Sequence, residues 1–371
     1  MKRIYIPLFV FILVISGFSE KRVRDYGIKI GILKTGKYNS ITDVKGVLVG
    51  HKTIVRGKDI RTGITAVLPH PGNIFKEKVP AAIYVGNGYG KLTGYTQVRE
   101  LGNIETPIIL TNTMSVPTAA DALQDYILSF PENRNVRSIN PIVGETNDGW
   151  LNNIRKRIIK KSDVIEAIKS GKTGFTEEGD VGAGTGTICF GFKGGIGTSS
   201  RKLPENLGGY TVGVLVQTNF GGILRIRGVP VGIMLNKYYL NKKLKYNPDG
   251  SCMIVVATDA PLSSRNLFRL AKRAMLGLAN TGGISSNGSG DYIIAFSTAK
   301  ELRISTNDKS PFRKIKVLKN DKMSPLFEAV IEATEEAILN SLFKAKTMEG
   351  RDKHLIKSLP IKRVVKMILG K

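Results

Sequence analysis

The run Met253-Ile254-Val255-Val256-Ala257 constrains this chain more than any other stretch: five consecutive apolar residues, opened by Asp249-Gly250-Ser251-Cys252 and closed by Thr258-Asp259-Ala260-Pro261. A short unbroken apolar run bounded by turn residues reads as a strand buried on both faces, which requires a sheet covered on both sides. Pro248-Asp249-Gly250 is a turn former, so Ser251 falls at the first position of that central strand, where loop becomes sheet. A serine in such a place ordinarily satisfies a neighbouring backbone group. It also holds a small hydroxyl at the rim of a rigid sheet.

The first residues stand apart. Lys2 and Arg3 precede an apolar stretch at 4–15, followed by Ser16-Gly17-Phe18-Ser19 and the charged Glu20-Lys21-Arg22. A basic end, an apolar core and small residues before a charged segment form an export signal over 1–19, so the product is expected to be exported, periplasmic or secreted. The apolar run is short for crossing a bilayer and contains Pro7, so no stable membrane insertion is expected once the signal is removed. The rest, 20–371, suffices for one large domain, and 41 glycines in the chain point to many tight turns. A net charge of +26 invites a nucleic-acid or anionic-membrane reading. The Lys and Arg are dispersed, however, with no nucleic-acid motif and few interleaved aromatics. The charge therefore reads as a solvated surface, and no nucleic-acid partner is expected. Cys189 and Cys252 sit in strand-like apolar runs and read as buried free thiols. His51, His70 and His354 are scattered, so no metal and no other cofactor is expected.

Along the chain, strand patterns fall at 27–33, 44–49, 61–69, 81–85, 107–110, 187–192, 210–217 and 292–296. Helical spacing falls at 118–129, at 164–168 with Ser162 as cap and Gly171 as stop, from Ser264 as cap to Gly282-Gly283 as stop, and at 326–342. The Lys- and Asn-rich 233–249 reads as a mobile connector. Gly31-Ile32-Leu33-Lys34-Thr35-Gly36-Lys37 has phosphate-loop spacing, but Tyr38 stands where a magnesium-holding hydroxyl belongs and another turn follows, so nucleotide binding is not expected. Wholly apolar strands together with long helices give an α+β fold, its sheets covered by helices.

A serine hydroxyl needs a base before it can act as a nucleophile. No Gly-x-Ser-x-Gly elbow is present, and three scattered histidines do not suggest a Ser-His-Asp triad. A base without histidine becomes available if the Gly250-Ser251 bond is cut, because the freed α-amino group titrates near ~8 and is partly neutral at physiological pH. Gly250 suits such scission, since a residue without Cβ permits the strained carbonyl geometry that attack by Ser251 Oγ needs.

Several ordered stretches carry a wider likeness: Asp43-Val44-Lys45-Gly46-Val47-Leu48-Val49-Gly50-His51, Arg61-Thr62-Gly63-Ile64-Thr65-Ala66, Gly86-Asn87-Gly88, Glu105-Thr106-Pro107-Ile108, the glycine segment 181–201, the segment 217–221, the segment 249–261 and the segment 289–298. Across nearly all of the chain after the leader, they resemble the family of L-aminopeptidase/D-esterases and β-peptidyl aminopeptidases. These are self-processing hydrolases of the N-terminal-nucleophile-like kind, related in fold to ornithine acetyltransferase.

The resemblance implies a four-layer αββα sandwich with strand connectivity distinct from that of the true N-terminal-nucleophile hydrolases. It implies self-cleavage between Gly250 and Ser251 into an α chain, 20–250, and a β chain, 251–371, with Ser251 the nucleophile in processing and turnover. Asn219 matches the side-chain donor to the oxyanion, a role that suits a rigid amide at a strand end. Ser289 and Asp291 match a Ser-Gly-acidic element that orients the Ser251 amine and hydroxyl; some members carry the longer Glu at the Asp291 position. Members often place a Tyr in the loop that here reads Glu145-Thr146-Asn147-Asp148-Gly149-Trp150, so Asn147 or Trp150 is expected to face the substrate instead. The implied activity is release of N-terminal residues from small amides and short peptides through an acyl-Ser251 intermediate, in a homo-oligomer of αβ units. Two rivals stand beside it. One is acyl transfer to an amine acceptor, against which a Ser rather than a Thr nucleophile counts; the other is a non-enzymatic basic envelope-binding protein.

Overall fold

A computed structural model describes residues 21–241 and 250–370. The expected export signal, Asp249 and the later part of the expected connector lie outside the described residues. The principal strands are β1 (Leu48–Arg56), β2 (Ile60–Leu68), β3 (Glu77–Gly88), β4 (Ile108–Asn112), β5 (Ile142–Thr146), β6 (Ile196–Lys202), β7 (Thr211–Asn219), β8 (Ser251–Thr258) and β9 (Gly290–Ser297). The principal helices are α1 (Val116–Leu128), α2 (Lys161–Lys169), α3 (Ser264–Asn280) and α4 (Ser324–Lys344). One sheet runs β1-β2-β4-β5. The larger runs β3-β9-β8-β7-β6, with the short segments Ile304–Ser305 and Asn103–Ile104 on β3.

β8 is buried throughout and its residues alternate between two cores, as period-two geometry demands. Met253, Val255 and Ala257 enter the core between the sheets, where they meet Val67, Ile108, Leu110 and Ile142. Cys252, Ile254 and Val256 face the opposite way, against Leu267, Leu270 and Ala274 of α3 and Val330 and Ala337 of α4. The outer face of the smaller sheet packs Ala66, Ile109 and Val143 on Leu123 of α1 and Val164 of α2. The order is therefore helix, sheet, sheet, helix: an αββα sandwich, as the family resemblance implies. An ionic clasp ties the larger sheet to its helices. Arg201 on β6 is fully buried and donates to Glu332 and Glu336, one turn apart on α4, at 2.7 Å each, and Arg24 also pairs with Glu336.

The strand expected at 44–49 begins only at Leu48, after a turn, and four further local expectations differ from the structure, each for a physical reason. Residues 27–33 form no strand, because Gly31 turns left-handed (φ +72°) and the Ile32 and Leu33 amides donate to the Glu332 carboxylate at 2.7 and 3.2 Å instead of to a ladder. At 187–192 the expected single strand is two short pieces, Ile188–Cys189 and Phe192–Lys193, folded back where Phe190 and Gly191 take positive φ. α2 is not capped by Ser162. It begins at Lys161, with Asp163 Oδ2 accepting from the Lys160 amide at 2.8 Å. α3 is capped one residue early, Ser263 Oγ accepting from the Asn266 amide. Cys189 and Cys252 are free and buried, as expected.

Candidate active site

Three adjacent strands bring the expected residues together. β7 and β8 pair antiparallel in a register that sets Asn219 opposite Ser251. β8 and β9 run parallel, with Cys252 opposite Asp291. Ser251 thus has an amide side chain on one flank and the Ser289-Gly290-Asp291 strand start on the other. It is 7% exposed, and its Oγ accepts from the Gly290 backbone amide at 3.2 Å. Gly250 and Ser251 line a cleft of about 300 Å³ together with Asn147 and Trp150. A larger hollow of about 490 Å³, between β3 and α3, is lined by Arg99, Arg265 and Arg269 and contains none of these residues.

The orientation of each group follows from its partners. Asn219 Oδ1 accepts from the Ile188 amide at 3.0 Å and its Nδ2 donates to the Asn147 carbonyl at 3.1 Å, so the amide cannot flip without losing both bonds. An sp² NH₂ carries two hydrogens, and the Asn147 contact uses one. Ser289 Oγ donates to Asp291 Oδ1 at 2.8 Å, while Asp291 Oδ2 is buried with no hydrogen-bond partner. Burial pushes the Asp291 carboxyl above its ordinary range, tempered by the Ser289 and Ser285 hydroxyls and the Cys252 backbone. Buried acceptors are normally satisfied, so this oxygen is an open acceptor position on the strand next to β8. Gly250 is required by space: a Cβ there would overlap the Asn219 carbonyl oxygen.

Asn147 turns its own Oδ1 onto the Gly149 amide, 2.9 Å, and presents its carbonyl to Asn219. Trp150 is a cleft wall, stacked at 4.1 Å on His354, whose Nδ1 lies 2.9 Å from the Trp150 carbonyl. The loop bearing both is anchored from beneath. Asp148 is buried, accepting from Thr62 Oγ1 at 2.5 Å and Asn152 Nδ2 at 2.9 Å, and burial raises its carboxyl to about 7 against those bonds. His51 is half-buried beside Thr65, with desolvation and Lys172 holding it down to about 4, and His70 faces two backbone carbonyls. The ring-nitrogen contacts of the three histidines do not include Ser251. Among the described residues no three His, Cys, Asp or Glu side chains gather as a metal ion would need.

Sequence reasoning missed three cleft residues. Tyr89 brings a phenol from the end of β3 rather than from the 145–150 loop, Thr113 follows β4, and Glu145 projects its carboxylate from β5. Only the register of separate strands places them beside Ser251. A strand-initial hydroxyl, a fixed amide and an open buried carboxylate can together carry out nucleophilic attack at a carbonyl with oxyanion support.

The chain matches the description of Peptidase family S58 over residues 39–356. It is 39% identical over 362 residues to the β-peptidyl aminopeptidase BapA of Sphingosinicella microcystinivorans, covering 91% of this chain and 89% of that one. A solved Pyrococcus horikoshii OT3 protein is 50% identical, with a TM-score of 0.87 over 94% of this chain and 99% of the other. The L-aminopeptidase D-Ala-esterase/amidase of Ochrobactrum anthropi is 35% identical, with a TM-score of 0.86 and the same coverage; it is described as a prototype for the serine aminopeptidases and a new variant among the Ntn hydrolase fold. With its layers and its site laid out in that way, this chain is a hydrolase that belongs to Peptidase family S58.

Proposed function

We propose that the chain is an exported, self-processing serine aminopeptidase acting on small amides and short peptides, β-amino acyl ones included, as the name of its BapA relative suggests. In processing, Ser251 Oγ attacks the Gly250 carbonyl carbon and the peptide bond gives way to an ester. Water then hydrolyses that ester, leaving a Gly250 carboxylate and a free Ser251 amine. In turnover that amine takes the Oγ proton, Oγ attacks the substrate carbonyl, and the departing amine recovers the proton. A second water releases the acyl group from Ser251. Asn219 Nδ2 supplies its remaining hydrogen to the oxyanion. Asp291 Oδ2 receives a hydrogen from the new amine and, with Ser289, orients it.

The observation that carries this reading is the position of Ser251. It is the first residue of a buried strand, in the same cleft as Gly250, with the Gly290 amide on its Oγ and an unpartnered carboxylate oxygen on the neighbouring strand. Glu145 gives the cleft an anion for a substrate ammonium. Among the described residues no helix is long and apolar enough to cross a membrane, and the basic, apolar leader supports export. Ser251→Ala tests the scheme. The variant should run as one chain on a denaturing gel and lack amidase activity, and two fragments split before residue 251 would refute it.

A further inference from the structure

An ion pair sits at the end of the cleft. Glu145 Oε1 accepts from the Lys91 backbone amide at 3.2 Å and lies 3.4 Å from Lys91 Nζ. Lys91 Nζ also donates to Thr113 Oγ1 at 2.7 Å and approaches the Thr113 carbonyl at 3.3 Å. Thr113 and Glu145 both line the cleft with Ser251. The carboxylate is 5% exposed, whereas the Lys91 side chain is 48% exposed. Gly90 makes the arrangement possible: at φ +78° it passes the chain over the carboxylate, where a Cβ would meet Glu145 Oε1 at 2.5 Å. The cleft therefore offers a fixed anion with a fixed cation at its shoulder.

For a simple ammonium substrate the cation is a disadvantage, because Lys91 partly neutralises the charge that would attract it. The pair becomes an advantage for a substrate that carries a carboxylate beside its amine. An α-amino acyl amide cannot do so, since its α-carboxyl is the scissile carbonyl. A β-aspartyl peptide can: its ammonium and free α-carboxylate share one carbon, and its scissile carbonyl lies as far from the amine as in any β-amino acyl amide.

We propose that this cleft takes β-aspartyl peptides, with Glu145 receiving the ammonium, Lys91 the α-carboxylate, and Ser251 attacking the side-chain carbonyl. Addition of water yields free aspartate and the shortened peptide. The inference rests on the aminopeptidase reading above and narrows its substrate class.

The test compares kcat/KM of the processed enzyme for β-aspartyl-leucine and for 3-aminobutanoyl-leucine, which carries a methyl in place of the carboxylate, with L-alanine amide as a third substrate. The expected preference for the carboxylate-bearing dipeptide is about tenfold or more, as a charge-assisted pair provides. Lys91→Met should bring the ratio to about one or below, and Lys91→Arg should restore most of it. A wild-type ratio of one or less, or a ratio unmoved in Lys91→Met, overturns the proposal. Cleavage of L-alanine amide alone overturns it while leaving the aminopeptidase reading intact; cleavage of none of the three overturns both. Should Lys91→Met fail to fold, product inhibition of the wild type decides: L-aspartate should inhibit at lower concentration than 3-aminobutyrate, and the reverse order refutes the assignment.

Discussion

Gly250→Ala separates the space needed for the proposed self-scission from the chemistry that would perform it. A Cβ on residue 250 would overlap the Asn219 carbonyl oxygen and lie within 2.8 Å of its carbonyl carbon and 3.1 Å of its Nδ2. None of these atoms can retreat cheaply. The carbonyl belongs to β7, held in register against β8, and the amide is tied to Ile188 and Asn147. The 250–251 peptide must move instead, and a displacement of ~1 Å at a reacting carbonyl costs roughly a hundredfold in rate, or about 2.7 kcal/mol of barrier. The experiment follows conversion of purified precursor into two fragments by denaturing gel and intact mass, with Ser251→Ala as the folded, uncut reference for thermal stability. Slow scission in a chain as stable as that reference is the expected result. Scission of Gly250→Ala at the wild-type rate would show that the scissile carbonyl does not sit where the structure puts it, and the attack by Ser251 Oγ would have to be abandoned.

Other expectations follow from the same contacts. Asn219→Ala should lower kcat by roughly 10²–10³-fold with a smaller change in KM, as removal of a transition-state donor does; a change confined to KM would assign Asn219 to ground-state binding. Arg201→Met should destabilise the fold by about 3–5 kcal/mol in urea unfolding, because Glu332 is left buried without its cation and Glu336 keeps only Arg24, and a loss below 1 kcal/mol would make the clasp decorative. Asp148 titrates near 7 in the fold against an ordinary 3.8, so the folded state holds the extra proton between those values. Its favourable contribution is complete below about pH 4 and lost as pH rises through about 7, a change on the order of a few kcal/mol. Asp148→Asn should remove that decline, and an identical slope of melting temperature against pH in both proteins would contradict it. His51, lowered to about 4, contributes the opposite slope in both and cancels in the comparison.

The parts of this molecule that were legible in sequence are those whose physics is local. The apolar run after Ser251 could only be a buried strand, and the spacing of Leu267, Leu270, Ala271, Ala274 and Leu278 could only be a helix face. Where a side chain from afar replaces a local partner, local reasoning fails. Glu332 takes the amides of Ile32 and Leu33 and dissolves an expected strand. Between neighbours the choice is just as hard to read, and Asp163 rather than Ser162 caps its helix. The site divides along the same line. Ser251, Asn219, Ser289 and Asp291 are candidates that motif resemblance marks, whereas Lys91, Thr113 and Glu145 meet only through the pairing of β4 with β5 and the turn at Gly90.

That division bears on how the site would change. The proposed nucleophile, oxyanion donor and orienting carboxylate sit at the ends of β7, β8 and β9, so their mutual geometry is fixed by ladder hydrogen bonds and by two cores of side chains behind them. The cleft walls come instead from Tyr89, Thr113, Glu145, Asn147 and Trp150, on segments that end or leave their strands. Substitutions in the walls can therefore alter which acyl group is accepted without moving Ser251, while a substitution that shifts β7 against β8 by one residue would reverse the face of every side chain and destroy the site with the fold. Specificity in this chain is free to vary in a way that its chemistry is not.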